Sequence, residues 1–352
     1  MKSPAFIMSR ESVKKNLQTI NNIEQRSDVK ILHTLKSFNQ SLVLPTIASK
    51  LSGMSVGNRT ELRMAKEAKA ENIHLYAPAY KEEALKEIID QVTTISFNSL
   101  NQWYRFKSLS QSTSMGLRIN PKLYLPIPYH CNPNEYNSRL GQNYETFIEE
   151  FNRNPIGFKT LEGLHFHALF QSSEVGTSLL LDHILEYYRE ILPQLKWINL
   201  GGGHQFTSHN FNVNNFDITV NNFKLLYPKI ELYFEPGEAV VKDTGIFITT
   251  VLDIIKLDEQ DVVILDTSTE THLLDVAIVN KRLMVKGTQS NSTPHFYQLT
   301  GNSCLQGDII GEYFFTEPLS VGSHVIFEDM ISYSMVKTTT FNGIEEALFV
   351  FE

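Results

Sequence analysis

Short apolar runs alternate with helix-like patterns over the first two thirds of this sequence, and that alternation limits the fold more than any other feature. Each run has four to seven residues and is typical of a buried strand; the runs cover residues 29–35, 73–76, 94–97, 115–119, 161–167, 196–200 and 230–234. The patterns between them predict helices over 59–70, with Thr60 as a possible N-cap, over 81–90 and over 178–192. Strands that alternate with helices at this spacing form βαβ units. We therefore predict an α/β fold with a parallel (β/α)8 barrel over residues 11–239.

The sequence changes in character after about residue 240. Short β-branched runs separated by turn residues replace the helical patterns; they cover 240–255, 262–266, 282–286, 296–300 and 325–327. Such a series predicts a second domain, a β-sandwich or small β-barrel, over residues 240–352.

Composition and charge exclude several classes of protein. Hydrophobic residues make up 42% of the chain and charged residues 20%, which is typical of a globular protein and excludes intrinsic disorder. The net charge of −8 excludes a nucleic-acid binder held by bulk positive charge. No apolar run reaches the ~20 residues that a membrane helix needs, and the first residues do not resemble a signal peptide. The two cysteines, Cys131 and Cys304, are too few for a disulfide framework, which indicates a reducing compartment, and the absence of both segments leads us to expect a cytoplasmic protein.

Three chemically capable groups follow three of the predicted barrel strands. They are Lys36 after the first run, Gly201, Gly202 and Gly203 after the sixth, and Glu235 after the seventh. Taken singly, they also suit a solvent-exposed lysine, a tight turn and an exposed acid. Active sites of barrels lie at the carboxyl ends of the strands, so we expect the three groups to converge.

Two histidines and one cysteine are further candidates. His165 and His167 are two residues apart in a predicted strand and therefore share a face. Zinc ligation is disfavoured because no third ligand lies at a suitable spacing nearby, and a neutral imidazole packed on an aromatic cofactor explains His167 as well. Cys304 lies in a glycine-flanked loop, where a cysteine suits an acid, a nucleophile or a redox centre, or simply fills a turn.

Together these groups describe a site for pyridoxal phosphate (PLP). Lys36 would hold the aldehyde carbon of the cofactor, because a desolvated lysine forms a Schiff base. The three glycines would hold the phosphate with backbone N–H groups. Glu235 would keep the pyridine nitrogen protonated and so strengthen the ring as an electron sink. Together, the lysine, the glycines and the glutamate indicate a PLP site more specifically than any one of them does.

At these residues the sequence resembles the fold-type III PLP-dependent decarboxylases, the ornithine and diaminopimelate decarboxylase group, and within it the carboxynorspermidine decarboxylase family. The matching stretches occur in the family's order along nearly the whole chain: 35–38, 97–100, 138–141, 163–169, 201–204, 235–240, 266–268, 301–305, 307–308, 311–313 and 337–344.

The resemblance implies a fold, an assembly and a set of site residues. The fold is an alanine racemase-like PLP-binding barrel followed by the β domain, to which residues 1–10 add a strand, and the assembly is a homodimer with active sites at its interface. The implied catalytic residues are Lys36, His167 and Cys304. The implied cofactor-binding residues are Lys36, Arg118, His167, Gly201, Gly202, Gly203, Glu235, Glu238 and Tyr333. The implied substrate-binding residues are Arg139, Asp275 and Asp308, with Cys304 and Asp308 supplied by the partner subunit, and no metal is implied.

Some positions depart from the usual pattern of the family. Phe170 replaces a cysteine, Gln171 a nearby glutamate and Ser332 a histidine, and the run at 273–275 lacks the family's Met-Pro-Asp and its Pro-Tyr pair. These departures lie on the substrate side, whereas the catalytic frame is kept. The resemblance therefore speaks more strongly for the type of reaction than for the substrate.

The expected reaction is decarboxylation of a small amino-acid substrate that carries a 3-amino-3-carboxypropyl group, which becomes an aminopropyl group. Carboxynorspermidine or carboxyspermidine is the substrate that the resemblance implies; the alternative carrier is a microcin C-type nucleotide-peptide antibiotic precursor. A racemase is disfavoured because barrel racemases usually set an arginine, and not a residue like Glu235, against the pyridine nitrogen. A PLP carrier protein is disfavoured because such proteins lack a β domain. No nucleic-acid polymer or membrane is an expected partner.

Overall fold

A computed structural model describes residues 2–290 and 294–352, without the side chain of His130. The chain divides into two units: residues 15–240 form one, and residues 2–14 together with 241–352 form the other. The first elements along the chain are strand β1 (Ala5–Met8) and helix α1 (Arg10–Ser27). Both described ends of the chain therefore belong to the same unit.

The unit of residues 15–240 is built around a closed ring of parallel strands. Its strands are β2 (Lys30–Thr34), β3 (Gly53–Val56), β4 (Asn72–Tyr76), β5 (Thr94–Phe97), β6 (Ser114–Asn120), β7 (Gln142–Asn143), β8 (Gly163–His165), β9 (Trp197–Asn199) and β10 (Glu231–Phe234). Parallel pairing follows the order β2-β3-β4-β5-β6-β8-β9-β10, and β10 pairs with β2 to close the ring. The short β7 pairs with the carboxyl end of β6. The predicted barrel is confirmed, with eight strands in its ring over residues 15–240, all of them described.

Helices follow most of these strands. They are α2 (Leu44–Ala48), α3 (Arg59–Glu67), α4 (Glu82–Ile88), α5 (Leu100–Phe106), α6 (Tyr144–Arg153), α7 (Glu174–Tyr187), α8 (Val213–Leu226) and α9 (Glu238–Val241). The prediction of Thr60 as an N-cap is wrong, since α3 is capped by Asn58, whose side chain accepts a hydrogen bond from the Glu61 N–H. The helix predicted over 178–192 begins earlier, after the cap Ser173, and ends at Tyr187.

A tryptophan fills the amino-terminal end of the barrel interior. A Cβ atom added at Gly163 would lie 2.0 Å from the Trp197 ring, and one added at Gly116 would lie 2.3 Å from it. The two glycines thus make room for the indole, which packs on the buried side chains of Leu32 and Tyr233. With this end of the barrel closed, the space for a ligand is at the carboxyl ends of the strands.

The second unit is a curled mixed sheet. Its further elements are β11 (Gly245–Ile255), β12 (Asp261–Leu265), α10 (Leu274–Val279), β13 (Thr288–Gln289), β14 (His295–Thr300), β15 (Ile309–Phe315), β16 (His324–Glu328), α11 (Tyr333–Val336) and β17 (Leu348–Phe351). The strand order is β13-β15-β14-β12-β11-β1-β17, and β16 pairs with β11. The strand predicted over 282–286 is wrong, because that segment makes one isolated bridge, between Val285 and Phe327.

Within the two described ranges of the chain, no helix combines the length and the apolar character needed to cross a membrane.

Candidate active site

Lys36 lies in a cavity at the carboxyl end of the barrel, two residues after β2. The cavity has a volume of about 550 Å³, and its lining also includes Arg118, Arg139 and His167. Burial among protein atoms lowers the pKa of the Lys36 ammonium group, Arg118 lowers it further, and Glu235 partly opposes both effects. The side chain keeps accessible surface because it faces the cavity. The Lys36 amine is therefore accessible to solvent and loses its proton more readily than an ordinary lysine.

Arg118 is a buried cation on β6, with 4% of its surface exposed. Its guanidinium carbon lies 4.6 Å from the centre of the Tyr76 ring, and Nη2 donates a 3.3 Å hydrogen bond to the His167 carbonyl oxygen. Tyr76 is itself fixed, since its hydroxyl donates to Asn98 Oδ1 at 2.7 Å. Arg118 and Lys36 thus give this side of the cavity a positive charge, which suits an anionic ligand.

Glu235, directly after β10, is a buried carboxylate with 5% of its surface exposed. Oε2 lies 3.7 Å from His165 Nε2, and Oε1 lies 3.9 Å from His74 Nε2. Burial lowers the pKa of both histidines, so both imidazoles are neutral at pH 7. Neither ring nitrogen of His165 has a hydrogen-bond partner among the described residues.

The fold brings a third potential metal ligand, Glu235, close to the two histidines although it is distant in the sequence. His165, His167 and Glu235 have potential ligand atoms within 4.8 Å of one another, and they are the one such set found in residues 2–290 and 294–352. The third ligand is 68 residues beyond His167 in the sequence, so spacing alone did not reveal it. His167 Nδ1 is already engaged, because it accepts a hydrogen bond from the Gly202 N–H at 3.2 Å.

The glycine loop after β9 packs tightly against the segment after β8. Gly201 has φ +67° and Gly203 has φ +89°, and a Cβ atom at Gly203 would lie 2.2 Å from the Leu169 carbonyl oxygen. The bond from Gly202 makes Nδ1 of His167 an acceptor, so the neutral ring carries its proton on Nε2. Burial holds the pKa of His167 well below its usual value, in agreement with a neutral ring.

Asn199, at the end of β9, is a site residue that the sequence reasoning missed. It is completely buried, its amide nitrogen donates to Glu235 Oε1 at 2.8 Å, and its amide oxygen accepts from the Gly201 N–H at 2.8 Å. One side chain therefore orients both the carboxylate and the glycine loop. The available signal was a lone amide inside the apolar run 196–200.

Glu238 begins the short helix α9. Its Oε1 accepts a hydrogen bond from Gln171 Nε2 at 3.2 Å, and Gln171 has φ +42°. Glu238 is thus linked to the segment after β8, as the glycine loop is.

The other predicted site residues lie in the sheet unit. Cys304 is exposed at a cavity of about 510 Å³, and its N–H donates to Asn342 Oδ1 at 3.0 Å. Asp275 Oδ1 accepts from Lys337 Nζ at 2.5 Å, and that same nitrogen lies 5.1 Å from the centre of the Tyr333 ring. Within the sheet unit, Lys337 therefore links Asp275 to Tyr333.

Asp308 is also in the sheet unit, with 3% of its surface exposed. Oδ1 accepts from the N–H and the hydroxyl of Thr269, at 2.8 and 2.9 Å. Oδ2 accepts from the N–H and the hydroxyl of Ser303, at 3.1 and 2.6 Å. Within this chain the carboxylate therefore ties together two loops of the sheet.

The barrel set fits PLP on the chemistry of its groups. Lys36 provides an amine with a lowered pKa beside a cavity, and Glu235 provides a carboxylate held in one orientation by an amide. The glycine loop brings backbone to the same strand ends at a place where a Cβ atom does not fit. Fold and site together define a PLP-dependent enzyme of the barrel type.

Comparison with known proteins agrees with this class. The family model described as "Pyridoxal-dependent decarboxylase, C-terminal sheet domain" matches residues 88–331. The carboxynorspermidine/carboxyspermidine decarboxylase of Campylobacter jejuni is 35% identical over 98% of this chain and 91% of its own length. The carboxyaminopropylagmatine decarboxylase of Synechocystis is 36% identical over 97% of this chain and 88% of its own length.

A solved structure gives the same result. Carboxynorspermidine decarboxylase from Campylobacter jejuni, crystallised with norspermidine, superposes with a TM-score of 0.90 at 34% identity and covers 100% of this chain and 94% of that one. This chain belongs to the family of pyridoxal-dependent decarboxylases. The predicted resemblance, the barrel-plus-sheet fold, the PLP cofactor and the carboxy-lyase class are confirmed.

Proposed function

We propose that this enzyme decarboxylates a 3-amino-3-carboxypropyl group carried on a polyamine-like amine and leaves an aminopropyl group. The observation that supports this most is the identity of 35% and 36%, over nearly the whole chain, to enzymes named for carboxynorspermidine, carboxyspermidine and carboxyaminopropylagmatine. All three names denote a carboxyaminopropyl group on an amine carrier. The carboxyaminopropyl group is therefore the best-supported part of the proposed substrate.

The barrel residues have complementary roles in this proposal. PLP, when bound, takes up the electron pair that the departing carboxylate leaves behind. Lys36 would hold the cofactor, Glu235 would meet its pyridine nitrogen, and His167 would pack on its ring. The remaining cofactor contacts are assigned to Arg118, to the glycine loop 201–203 and to Glu238 and Tyr333.

Substrate orientation and proton return complete the proposal. Arg139, Asp275 and Asp308 contact the substrate. Lys36 or Cys304 returns a proton to the carbon that has lost CO2, as a general acid. Burial lowers the pKa of Lys36, which favours the release of its proton.

The proposed assembly is a homodimer in the cytoplasm, with Cys304 and Asp308 acting in the site of the other subunit. The exposed position of Cys304 and its free thiol agree with this arrangement. Mixing inactive Lys36→Ala and Cys304→Ala proteins tests it, because a hybrid dimer contains one site with both residues intact. Recovered activity is expected; a monomer by light scattering, or no recovery after subunit exchange, contradicts the proposal.

Mass spectrometry of CO2 loss tests the reaction itself. Wild-type holoenzyme is given carboxynorspermidine, carboxyspermidine, carboxyaminopropylagmatine and a nucleotide-peptide precursor with the same end group. We expect turnover of at least one amine carrier and none with Lys36→Ala. Turnover of the nucleotide peptide alone overturns the amine carrier, and interconversion of enantiomers without CO2 loss overturns decarboxylation.

A further inference from the structure

The segment 129–140 gives the active-site cavity a charge pattern with two sides. Three cations line the cavity: Lys36, Arg118 and Arg139. Glu135 is the single acidic residue among the described residues of the lining. A ligand that fills this cavity thus meets three basic side chains and one acidic side chain.

The backbone around Glu135 is fixed to the barrel. The Glu135 carbonyl oxygen accepts from Asn120 Nδ2 at 3.1 Å, and Asn120 is the last residue of β6. The buried Asn134 donates from Nδ2 to the Ala168 carbonyl oxygen at 2.7 Å, just after β8. Hydrogen bonds to the end of β6 and to the segment after β8 therefore fix the backbone that carries the Glu135 side chain.

The Glu135 side chain is oriented but not neutralised. Oε1 accepts a hydrogen bond from Asn132 Nδ2 at 2.8 Å. Among the described side chains, which do not include that of His130, no lysine, arginine or histidine nitrogen lies within ion-pair distance of this carboxylate, and Oε2 receives no hydrogen bond. An intermediately buried carboxylate held this way has capacity for one cationic donor.

The other acids near the strand ends are already committed. Glu235 accepts a hydrogen bond from Asn199 and is not among the lining residues of this cavity, and Glu238 accepts one from Gln171. Glu135 is thus the acid of the barrel unit best placed for a cation that enters through the cavity. Tyr129 lines the same cavity and offers an aromatic face beside it.

We propose that Glu135 is a specificity-determining residue that binds the distal ammonium or guanidinium group of the amine carrier. This inference rests on the proposed decarboxylation and adds to it the part of the site that reads the carrier. The cations near Lys36 would receive the amino-acid end of the substrate, and Glu135 the opposite end. Such a polarity selects carriers with a positive end and rejects anionic ones.

Glu135→Gln is the central variant, because it keeps the size and hydrogen-bonding capacity and removes the charge. With carboxynorspermidine, kcat/KM is expected to fall about 10- to 100-fold, the loss of one charge-assisted hydrogen bond, mainly through KM. With 2,4-diaminobutanoate, which keeps the reacting end but lacks the distal aminopropyl arm, the variant and the wild type should differ by less than about 2-fold.

Binding of norspermidine gives a readout that needs no turnover. Calorimetry with the holoenzyme should show weaker binding of norspermidine to Glu135→Gln by a similar factor, and near wild-type binding to Glu135→Asp. Glu149→Gln is the matched control, since Glu149 is an exposed acid on α6 and its removal changes the net charge equally. Unchanged cofactor absorbance verifies that each variant is folded and loaded.

The outcomes separate this inference from the proposed function. If wild type releases CO2 from carboxynorspermidine and Glu135→Gln does so with equal kcat/KM and equal norspermidine affinity, the role of Glu135 is refuted while decarboxylation stands. An equal loss on 2,4-diaminobutanoate also refutes it, because the residue then acts on the reacting end. If wild type releases no CO2 from any amine carrier, the proposed function fails first.

Discussion

At the scale of single residues, Asn199 is the side chain on which the geometry of the site depends most. It joins the Glu235 carboxylate to the backbone of the glycine loop from a completely buried position. Two functional groups from different strand ends are therefore oriented by one amide. A defect at this position should affect cofactor binding as well as folding.

Asn199→Asp is expected to weaken PLP binding more than it weakens the fold. The new carboxylate faces Glu235 Oε1, and the hydrogen bond from Asn199 is replaced by repulsion between like charges. Asn199→Ala leaves buried polar groups unsatisfied and should lower the free energy of unfolding by about 1–3 kcal/mol. Equilibrium titration of cofactor-free protein with PLP and urea unfolding measure the two effects.

The exposed Asn210 provides the control, because Asn210→Asp makes the same chemical change on the surface of the same unit. It should leave both measurements unchanged. Wild-type PLP affinity in Asn199→Asp would show that the amide does not hold the carboxylate in place.

The reactivity of Lys36 should move in opposite directions when its two charged neighbours are removed. Arg118 lowers the pKa of this amine and Glu235 raises it. In cofactor-free protein, Arg118→Gln is therefore expected to shift the pH profile of Lys36 acetylation to higher pH, and Glu235→Gln to lower pH. Competitive labelling read by mass spectrometry measures the profile, with the exposed Lys159 as internal reference. Shifts of the same sign in both variants contradict the assignment.

The sequence predicted the site residues that follow strands, and also Arg118 and His165 within strands, but it did not reveal His74 and Asn199. Lys36 and Glu235 each follow an apolar run, and the closed ring brings their ends together. His74 and Asn199 lie within strands β4 and β9, where an apolar run conceals a single polar position. Their meeting depends on strand order and ring closure, which no local pattern contains.

At the scale of elements, two separate steric conditions restrict which residues the glycine loop can contain. Gly203 has a left-handed φ, and its Cα approaches the Leu169 carbonyl oxygen too closely for a side chain. Gly57 follows β3 as Gly203 follows β9, but its added Cβ would meet nothing closer than 3.4 Å and its φ is ordinary. The two positions therefore form a matched pair within one barrel.

Alanine at these two positions should give very different stabilities. Gly203→Ala is expected to lower the free energy of unfolding by about 3 kcal/mol, from backbone strain together with overpacking. Gly57→Ala should stay within about 0.5 kcal/mol of wild type. Urea unfolding of the cofactor-free proteins compares them directly. Equal stability of the two variants would show that the loop relaxes around the new methyl group.

Element boundaries show where local pattern is informative. Helix α1 was not predicted, although Val13, Leu17, Ile20 and Ile23 have helical spacing and form its buried face. The short β3 was not predicted, because Gly-Met-Ser-Val has too few apolar residues to stand out, and pairing with strands on both sides stabilises it. In the sheet unit, β15 was not predicted because Gly311 and Glu312 interrupt its apolar run, and pairing with β13 and β14 stabilises it.

At the scale of the whole molecule, buried neutral histidines make the fold sensitive to acid. Burial lowers the pKa of His33 and of His204 from 6.5 to about 4. The unfolded chain therefore binds more protons than the folded chain between these values, and stability is lost as the pH falls from about 6.5 to about 4. Each such histidine contributes roughly 3 kcal/mol to this loss at most.

His33→Gln should reduce the difference in unfolding free energy between neutral pH and a pH near 4, because one of these titrations is removed. His209→Gln, at an exposed position, should leave the difference unchanged. Urea unfolding across this pH interval provides the values. An undiminished acid sensitivity in His33→Gln would mean that its protonation is not linked to unfolding.

The two ends of the chain pair side by side in one sheet, β1 with β17, in parallel. Because the strands run in the same direction, Phe351 lies beside Met8, and a covalent bridge back to residue 3 has to run the length of five extended residues, about 17 Å. A flexible linker of about eight glycine and serine residues spans that gap easily. A chain of residues 3–351 is thus suited to circular permutation, in which Phe351 is joined to Ser3 through this linker and new ends are opened in an exposed turn.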